Sequence, residues 1–126
     1  MVERPYTLTA ELTYRCPLHC AYCSNPISYD NRTALDTDGW CRLFAEAEAM
    51  GVMQVNLTGG EPLLRNDLES LIARARALSL YTNLITSGVP LSRRRLTQLR
   101  ASGLDAVQLS LQSTDKILAD RIAGVV

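Results

Sequence analysis

Three of the chain's four cysteines lie close together and could hold a metal centre. Cys16, Cys20 and Cys23 are spaced Cys-x3-Cys-x2-Cys, so one short loop can bring three thiolates together. Thiolates are soft ligands, which favour zinc and iron–sulfur clusters. Clustered cysteines in a cytosolic chain bind metal or do redox chemistry more often than they form structural disulfides.

Two kinds of metal site are compatible with this loop. Three cysteines on a [4Fe–4S] cluster leave one iron without a protein ligand. A metal centre needs such an open position if it is to bind and activate a reactant. A structural zinc site has four protein ligands and no open position, so His19 or Cys41 would have to supply the fourth ligand. The position of the loop after a predicted strand favours the cluster, and the zinc site stays the alternative.

Short polar groups and glycines follow the three later strands that the sequence predicts. Glycine lets a backbone approach a ligand closely, and a carboxylate accepts hydrogen bonds from an ammonium group. In a parallel sheet, ligands bind at the carboxyl ends of the strands. The candidate residues are Gly59, Gly60 and Glu61 after the second strand, Thr86 and Ser87 after the third, and Ser110 and Gln112 at the end of the fourth.

Alternating strand and helix patterns predict the frame that positions these residues. Strands are predicted over 6–14, 52–57, 80–86 and 104–111, from β-branched and apolar runs. Helices are predicted to begin at Asp36 or Thr37, at Asn66 with Glu69 as a capping-box partner, at Ser92, and at Thr114 or Asp115. This order indicates a parallel α/β fold, either a small open sheet or part of a larger barrel.

Composition and charge exclude two classes of protein, nucleic-acid binders and membrane-spanning proteins. The 126 residues carry 13 basic and 13 acidic side chains, so the basic surface expected of a nucleic-acid binder is missing. No apolar run is long enough to cross a bilayer, and we expect a soluble, cytoplasmic, single-domain chain. The run Arg93–Arg95 is interpreted as the solvated start of the third helix, with docking of a peptide or partner as the alternative.

The motif Cys16-x3-Cys20-x-Tyr22-Cys23 after one strand, followed by Gly59-Gly60-Glu61-Pro62 after the next, resembles the radical S-adenosylmethionine (radical SAM) superfamily. Beyond these motifs, the sequence of residues 10–26, 81–88 and 107–112 is similar to the sequences of the peptide cyclases of pyrroloquinoline quinone (PQQ) biosynthesis. The resemblance runs from about residue 5 to residue 124.

This resemblance implies a role for each candidate residue. Cys16, Cys20 and Cys23 would bind a [4Fe–4S] cluster whose open iron is chelated by S-adenosylmethionine (SAM). Tyr22 would lie near the adenine, and Gly59, Gly60 and Glu61 would receive the amino group. The short polar side chains Thr86, Ser87, Ser110 and Gln112 would contact the ribose and carboxylate.

The resemblance also implies a reaction and its partners. The reduced cluster would cleave SAM to methionine and a 5′-deoxyadenosyl radical, which abstracts hydrogen from the substrate. The substrate would be a precursor peptide, PqqA, in which a carbon–carbon bond forms between Glu and Tyr side chains. A peptide chaperone, PqqD, and an electron donor would be partners. Another peptide or a small molecule is the alternative substrate.

The resemblance further implies a barrel of six βα units followed by a region that binds auxiliary clusters. We therefore predict that residues 1–126 form a truncated radical SAM core domain. It would be a partial (β/α) barrel of four βα units, with the C-terminal auxiliary-cluster domain absent. We expect such a chain not to complete the cyclisation alone.

Overall fold

The computed structural model describes residues 3–25 and 34–125, and it contains one parallel four-stranded sheet. The sheet order follows the chain, β1-β2-β3-β4, and every neighbouring pair is parallel. The strands are β1 (Thr7–Glu11), β2 (Gln54–Thr58), β3 (Tyr81–Thr86) and β4 (Ala106–Leu109). All four predicted strands are confirmed, although β1 and β4 are shorter than their sequence patterns suggested.

A helix follows each strand. These are α1 (Thr37–Ala49), α2 (Leu68–Ala77), α3 (Arg93–Ala101) and α4 (Lys116–Ala123), and a single 3-10 turn, Pro62–Leu64, precedes α2. Three predicted helix starts are confirmed by side-chain caps. The side chains of Asp36, Ser92 and Asp115 accept from backbone N–H groups at 2.7, 3.1 and 2.8 Å, which satisfies donors of the first turn.

The predicted start of α2 at Asn66 is wrong, because Asp67 is the N-cap residue and its side chain does not cap the helix. The Asp67 carboxylate is occupied elsewhere. It accepts from Arg65 at 2.6 and 2.8 Å and from the Thr37 hydroxyl at 2.5 Å. Arg65 also donates to the carbonyl of Leu12 at 2.8 Å, so these residues tie the start of α2 to α1 and to the end of β1.

The Arg93–Arg95 run is only partly solvated. Arg93 and Arg94 are exposed, as predicted, but Arg95 forms a 2.5 Å ion pair with Glu69 and donates to the carbonyl of Arg65 at 2.9 Å. Glu69 therefore reaches α3 instead of its own N-terminus, and the capping box predicted with Asn66 does not form.

The core lies between one face of the sheet and the helices α1, α2 and α3, the last of which contributes Leu99. Alternate strand residues point into it and are fully buried: Ala10, Val55, Leu57 and Leu84. Their intervening neighbours face the other way and, apart from Ile85, are polar. There, the Asn56 Oδ1 atom accepts from Gln54 at 2.9 Å and from Asn83 at 3.3 Å. Within the described ranges, no helix is long and apolar enough to span a membrane.

Candidate functional site

The cysteine loop, residues 12–25, follows β1 and carries three free thiols. A turn closed by the Cys23 N–H and the Cys20 carbonyl, at 3.0 Å, holds these two cysteines together. Burial raises the pKa of the Cys16 thiol, and the nearby charges of Glu61, Cys20 and Cys23 raise it further, while a backbone hydrogen bond at Leu18 lowers it. Cys16 is therefore the thiol of the loop whose ionisation the surrounding protein disfavours.

The donor set of this loop fits a cluster that takes one thiolate per iron. Among the residues described, no three His, Cys, Asp or Glu side chains converge on a single metal ion, and this includes the three cysteines. A four-ligand zinc site with His19 or Cys41 is thus not formed in that part of the chain. In a [4Fe–4S] cluster each cysteine binds a different iron, so the sulfurs do not need to meet at one point.

Helix α4 supports the cysteine loop from one side. The His19 and Ala21 N–H groups donate to the carbonyls of Ala123 and Ile122 at 2.8 and 3.3 Å. At Gly124, an added Cβ would lie 2.4 Å from the His19 carbonyl oxygen, so only glycine allows this close approach. His19 therefore contributes its backbone to the support of the loop, while the residue itself is exposed.

The second strand's loop supports the cysteine loop from the other side. The N–H groups of Gly60 and Glu61 donate to the carbonyls of Thr13 and Arg15, both at 2.6 Å. An added Cβ at Gly60 would lie 2.2 Å from the Arg15 carbonyl oxygen, and one at Gly59 would lie 2.5 Å from that of Thr13. The two glycines are therefore required where this loop meets the chain leading to Cys16, whatever else they bind.

Glu61 is 1% exposed, and its carboxylate accepts four hydrogen bonds from the protein itself. Its Oε1 atom accepts from the Thr86 hydroxyl at 2.6 Å and from the Leu63 N–H at 3.1 Å. Its Oε2 atom accepts from the Ser87 hydroxyl at 2.6 Å and from the Ser87 N–H at 3.0 Å. Glu61 thus joins the loop after β2 to the end of β3, and its contact with a ligand amino group stays a prediction.

The remaining candidate residues lie at the same end of the sheet. The Tyr22 hydroxyl donates to the Gln112 side chain, which links the cysteine loop to the segment after β4. The exposed Ser110 donates its N–H to the Thr86 carbonyl at 2.9 Å, so it extends the pairing of β3 with β4. The structure therefore brings every predicted site residue to the carboxyl end of the sheet, and their contacts with a cofactor stay predictions.

Sequence reasoning missed Asn25, whose side chain donates to the Gly59 carbonyl at 3.2 Å. This bond connects the end of the cysteine loop to the glycine motif. An asparagine in a stretch rich in turn-forming residues gave no signal for a contact 34 positions away. Arg65 was missed for the same reason, since its carbonyl partner in Leu12 is distant in sequence.

Comparisons with known proteins agree with this geometry. The sequence profile of the Radical SAM superfamily matches residues 10–125. A "PqqA peptide cyclase" of Xanthomonas euvesicatoria is 55% identical over 121 residues, which are 95% of this chain and 32% of the relative. A protein of the same name from Ruegeria pomeroyi is 54% identical over 124 residues, 98% of this chain and 33% of the relative. The chain spans about a third of the length of these relatives.

Solved structures show the same architecture. SuiB of Streptococcus suis bound to S-adenosylmethionine matches with a TM-score of 0.84 and 27% identity, over 96% of this chain and 28% of that one. BtrN in complex with AdoMet and 2-DOIA matches with a TM-score of 0.77 at 20% identity, over 98% of this chain and 54% of that one, and this shows the fold alone. The chain belongs to the radical SAM superfamily, an enzyme family, and has a partial radical SAM α/β fold.

Proposed function

We propose that this chain is the part of a PqqA-type peptide cyclase that binds the [4Fe–4S] cluster and SAM. The observation that carries this proposal is the double support of the cysteine loop. Residues 13–15 pair with the glycine motif, residues 19–21 pair with α4, and the three cysteines lie on or beside these anchored segments. A loop fixed on both sides holds its thiols in place before a metal centre binds.

In this proposal, Cys16, Cys20 and Cys23 each bind one iron of the cluster. When bound and reduced by the electron donor, the cluster would supply the single electron that divides SAM into methionine and a 5′-deoxyadenosyl radical. Cys16 and Cys20 are half-buried and Cys23 is exposed, so protein would shelter the cluster on the side of the first two cysteines.

The protein's own contribution is to position and shelter the ligand. Glu61 fixes the loop after β2 against the end of β3, which sets the backbone of Gly59 and Gly60 beside the cysteine loop. Tyr22 and Gln112 hold the loop to the segment after β4, where an exposed aromatic ring suits stacking on an adenine. The polar face of the sheet, with Asn56 at its centre, suits a hydrogen-bonding ligand rather than an apolar one.

The similarity to named PqqA peptide cyclases supports a precursor peptide as substrate. We propose that the reaction forms a carbon–carbon bond between its Glu and Tyr side chains. A neighbour of this fold, SuiB, has been solved bound to its precursor peptide SuiA, which supports a peptide substrate as a class. We include the peptide chaperone PqqD and an electron donor as partners.

Anaerobic reconstitution with iron and sulfide tests the proposal. We expect a brown protein with about four iron and four sulfide ions per chain, and SAM binding measured by equilibrium dialysis. Cys20→Ala should lose the cluster, whereas the matched control Cys41→Ala should keep it, because Cys41 packs against the hydrophobic core. A colourless protein, or one that binds only zinc and no SAM, would contradict the proposal.

A further inference from the structure

Glu61 carries a negative charge that is buried within the predicted site. Its side chain is 1% exposed, and in the part of the chain that the structure describes no cation forms an ion pair with it. Water screens a buried charge poorly, so such a charge acts on neighbouring groups more strongly than a charge at the surface. Any group bound next to Glu61 therefore experiences a negative electrostatic potential.

Four hydrogen-bond donors compensate the charge of the Glu61 carboxylate without removing it. Each of its oxygens accepts one backbone N–H and one hydroxyl. The Thr86 hydroxyl oxygen in turn accepts from the Gly88 N–H at 3.0 Å, and that of Ser87 accepts from the Val89 N–H at 3.4 Å. Hydrogen bonds offset the cost of burying an ionised carboxylate, which only accepts them. The site therefore keeps one full negative charge.

This charge lies beside the first cysteine of the cysteine loop. The Glu61 N–H donates at 2.6 Å to the Arg15 carbonyl, which belongs to the peptide bond that joins Arg15 to Cys16. Cys16 is half-buried, so water screens it less than it screens the exposed Cys23. Burial raises the pKa of the Cys16 thiol most, and the charge of Glu61 raises it further. The carboxylate therefore acts on the first of the three sulfur atoms that would bind the cluster.

We propose that the charge of Glu61 lowers the reduction potential of the [4Fe–4S] cluster bound by Cys16, Cys20 and Cys23. The electron donor adds one electron to the cluster, and a fixed negative charge nearby opposes that addition. The potential of an iron–sulfur cluster depends on the charge and solvent exposure of its surroundings as well as on its type. A lower potential makes the reduced cluster a stronger donor of the electron that cleavage of SAM consumes.

This inference rests on the proposed function, because it requires the cluster. Glu61 would act on the reaction through the cluster, as a positioning residue whose charge is the property that matters. The effect does not depend on a contact between Glu61 and the SAM amino group, so it should be present before SAM binds.

Redox titration of the reconstituted chain without SAM tests the proposal. The cluster is brought to a series of fixed potentials with mediators, and its reduced fraction is measured by electron paramagnetic resonance. Glu61→Gln removes the charge and keeps the shape of the side chain. At a given potential it should raise the ratio of reduced to oxidised cluster about tenfold, a shift of about 59 mV for one electron. An unchanged ratio would overturn the proposal.

Two variants that keep or remove a charge elsewhere serve as matched controls. Glu61→Asp keeps the charge at the same position, so its ratio should stay within about twofold of that of the original chain. Glu48→Gln removes an exposed charge on α1, which water and salt screen, and it should also stay within about twofold. A tenfold rise in either control would overturn the proposal, since the shift would then not follow the buried charge.

Ser87→Ala separates the charge of Glu61 from the packing around it. This variant removes one hydroxyl donor from the carboxylate and leaves the charge less compensated, so the ratio of reduced to oxidised cluster should fall about twofold. A rise like that of Glu61→Gln would mean that a loosened site sets the potential, and it would overturn the proposal. If Glu61→Gln does not retain its cluster, Ser87→Ala decides the question, and an unchanged or raised ratio overturns the proposal.

Iron and sulfide content and SAM binding, measured on each chain before the titration, distinguish this inference from the proposed function. If the original chain binds no cluster, the proposed function is overturned and this inference falls with it. If the chain binds the cluster and SAM but its potential is the same with and without the charge of Glu61, this inference alone is overturned.

Discussion

Replacing Glu61 by glutamine tests whether this carboxylate builds the site before any ligand arrives. Each carboxylate oxygen accepts one backbone N–H and one hydroxyl, from Leu63 and Thr86 on one side and twice from Ser87 on the other. Glutamine keeps the shape but replaces one oxygen by an NH₂ group. Whichever way the amide turns, one backbone N–H loses its acceptor and meets another donor.

The expected loss in the free energy of unfolding can be estimated from these four hydrogen bonds. An unsatisfied buried donor costs about 1–3 kcal/mol, and hydrogen bonds to a charged group are stronger than those to a neutral one by about 1 kcal/mol. Glu61→Gln should therefore lower the free energy of unfolding by about 3 kcal/mol. For a domain of this size that corresponds to a fall in Tm of roughly 10 °C.

The assay is urea unfolding of the ligand-free chain, followed by circular dichroism. Glu48→Gln, on the exposed surface of α1, is the matched control and should change the unfolding free energy by less than about 0.5 kcal/mol. In a double-mutant cycle, Glu61→Gln and Ser87→Ala should couple by about 1 kcal/mol or more. If Glu61→Gln leaves stability unchanged and only weakens SAM binding, the carboxylate serves the ligand and our reasoning is wrong.

Two further substitutions, with a third as a control, test the support of the cysteine loop and of α2. Gly60→Ala places a Cβ 2.2 Å from the Arg15 carbonyl, so it should cost about 2 kcal/mol and reduce iron uptake on reconstitution. The control is Gly51→Ala, which is strained only by its φ of 100°, so it should cost about 1 kcal/mol and leave iron uptake intact. Equal iron uptake by the Gly60→Ala and Gly51→Ala variants would contradict this prediction. The hydrogen bond from Arg65 lowers the pKa of Asp67, so the ionised Asp67 carboxylate stabilises the folded chain at neutral pH. This stabilisation is lost as the pH falls below about 4 and the carboxylate is protonated. Asp67→Asn should lower the free energy of unfolding at pH 7 by about 1 kcal/mol, and it should lose less of that free energy in acid than the original chain does. Urea titrations at pH 7 and at about pH 3 measure both values. An equal loss of unfolding free energy between the two pH values in the variant and in the original chain would contradict this.

The regular elements could be predicted because local patterns encode them. Helix starts at Asp36, Ser92 and Asp115 are confirmed since each cap bonds within its own first turn. The prediction of Asn66 as the cap of α2 is wrong: the N-cap residue is Asp67, and its carboxylate binds Arg65 and the distant Thr37 instead of the first turn of the helix. A local rule has no access to a contact made 30 residues away.

The sequence by itself determined the family and the order of strands and helices, and it supplied the residues predicted for the site. Cysteine spacing and the glycine motif are local in the chain, so they could be interpreted without the fold. Only the tertiary structure decided what these residues contact. Gly60 is needed because the Arg15 backbone passes within reach of any added side chain, and Glu61 is turned toward the end of β3.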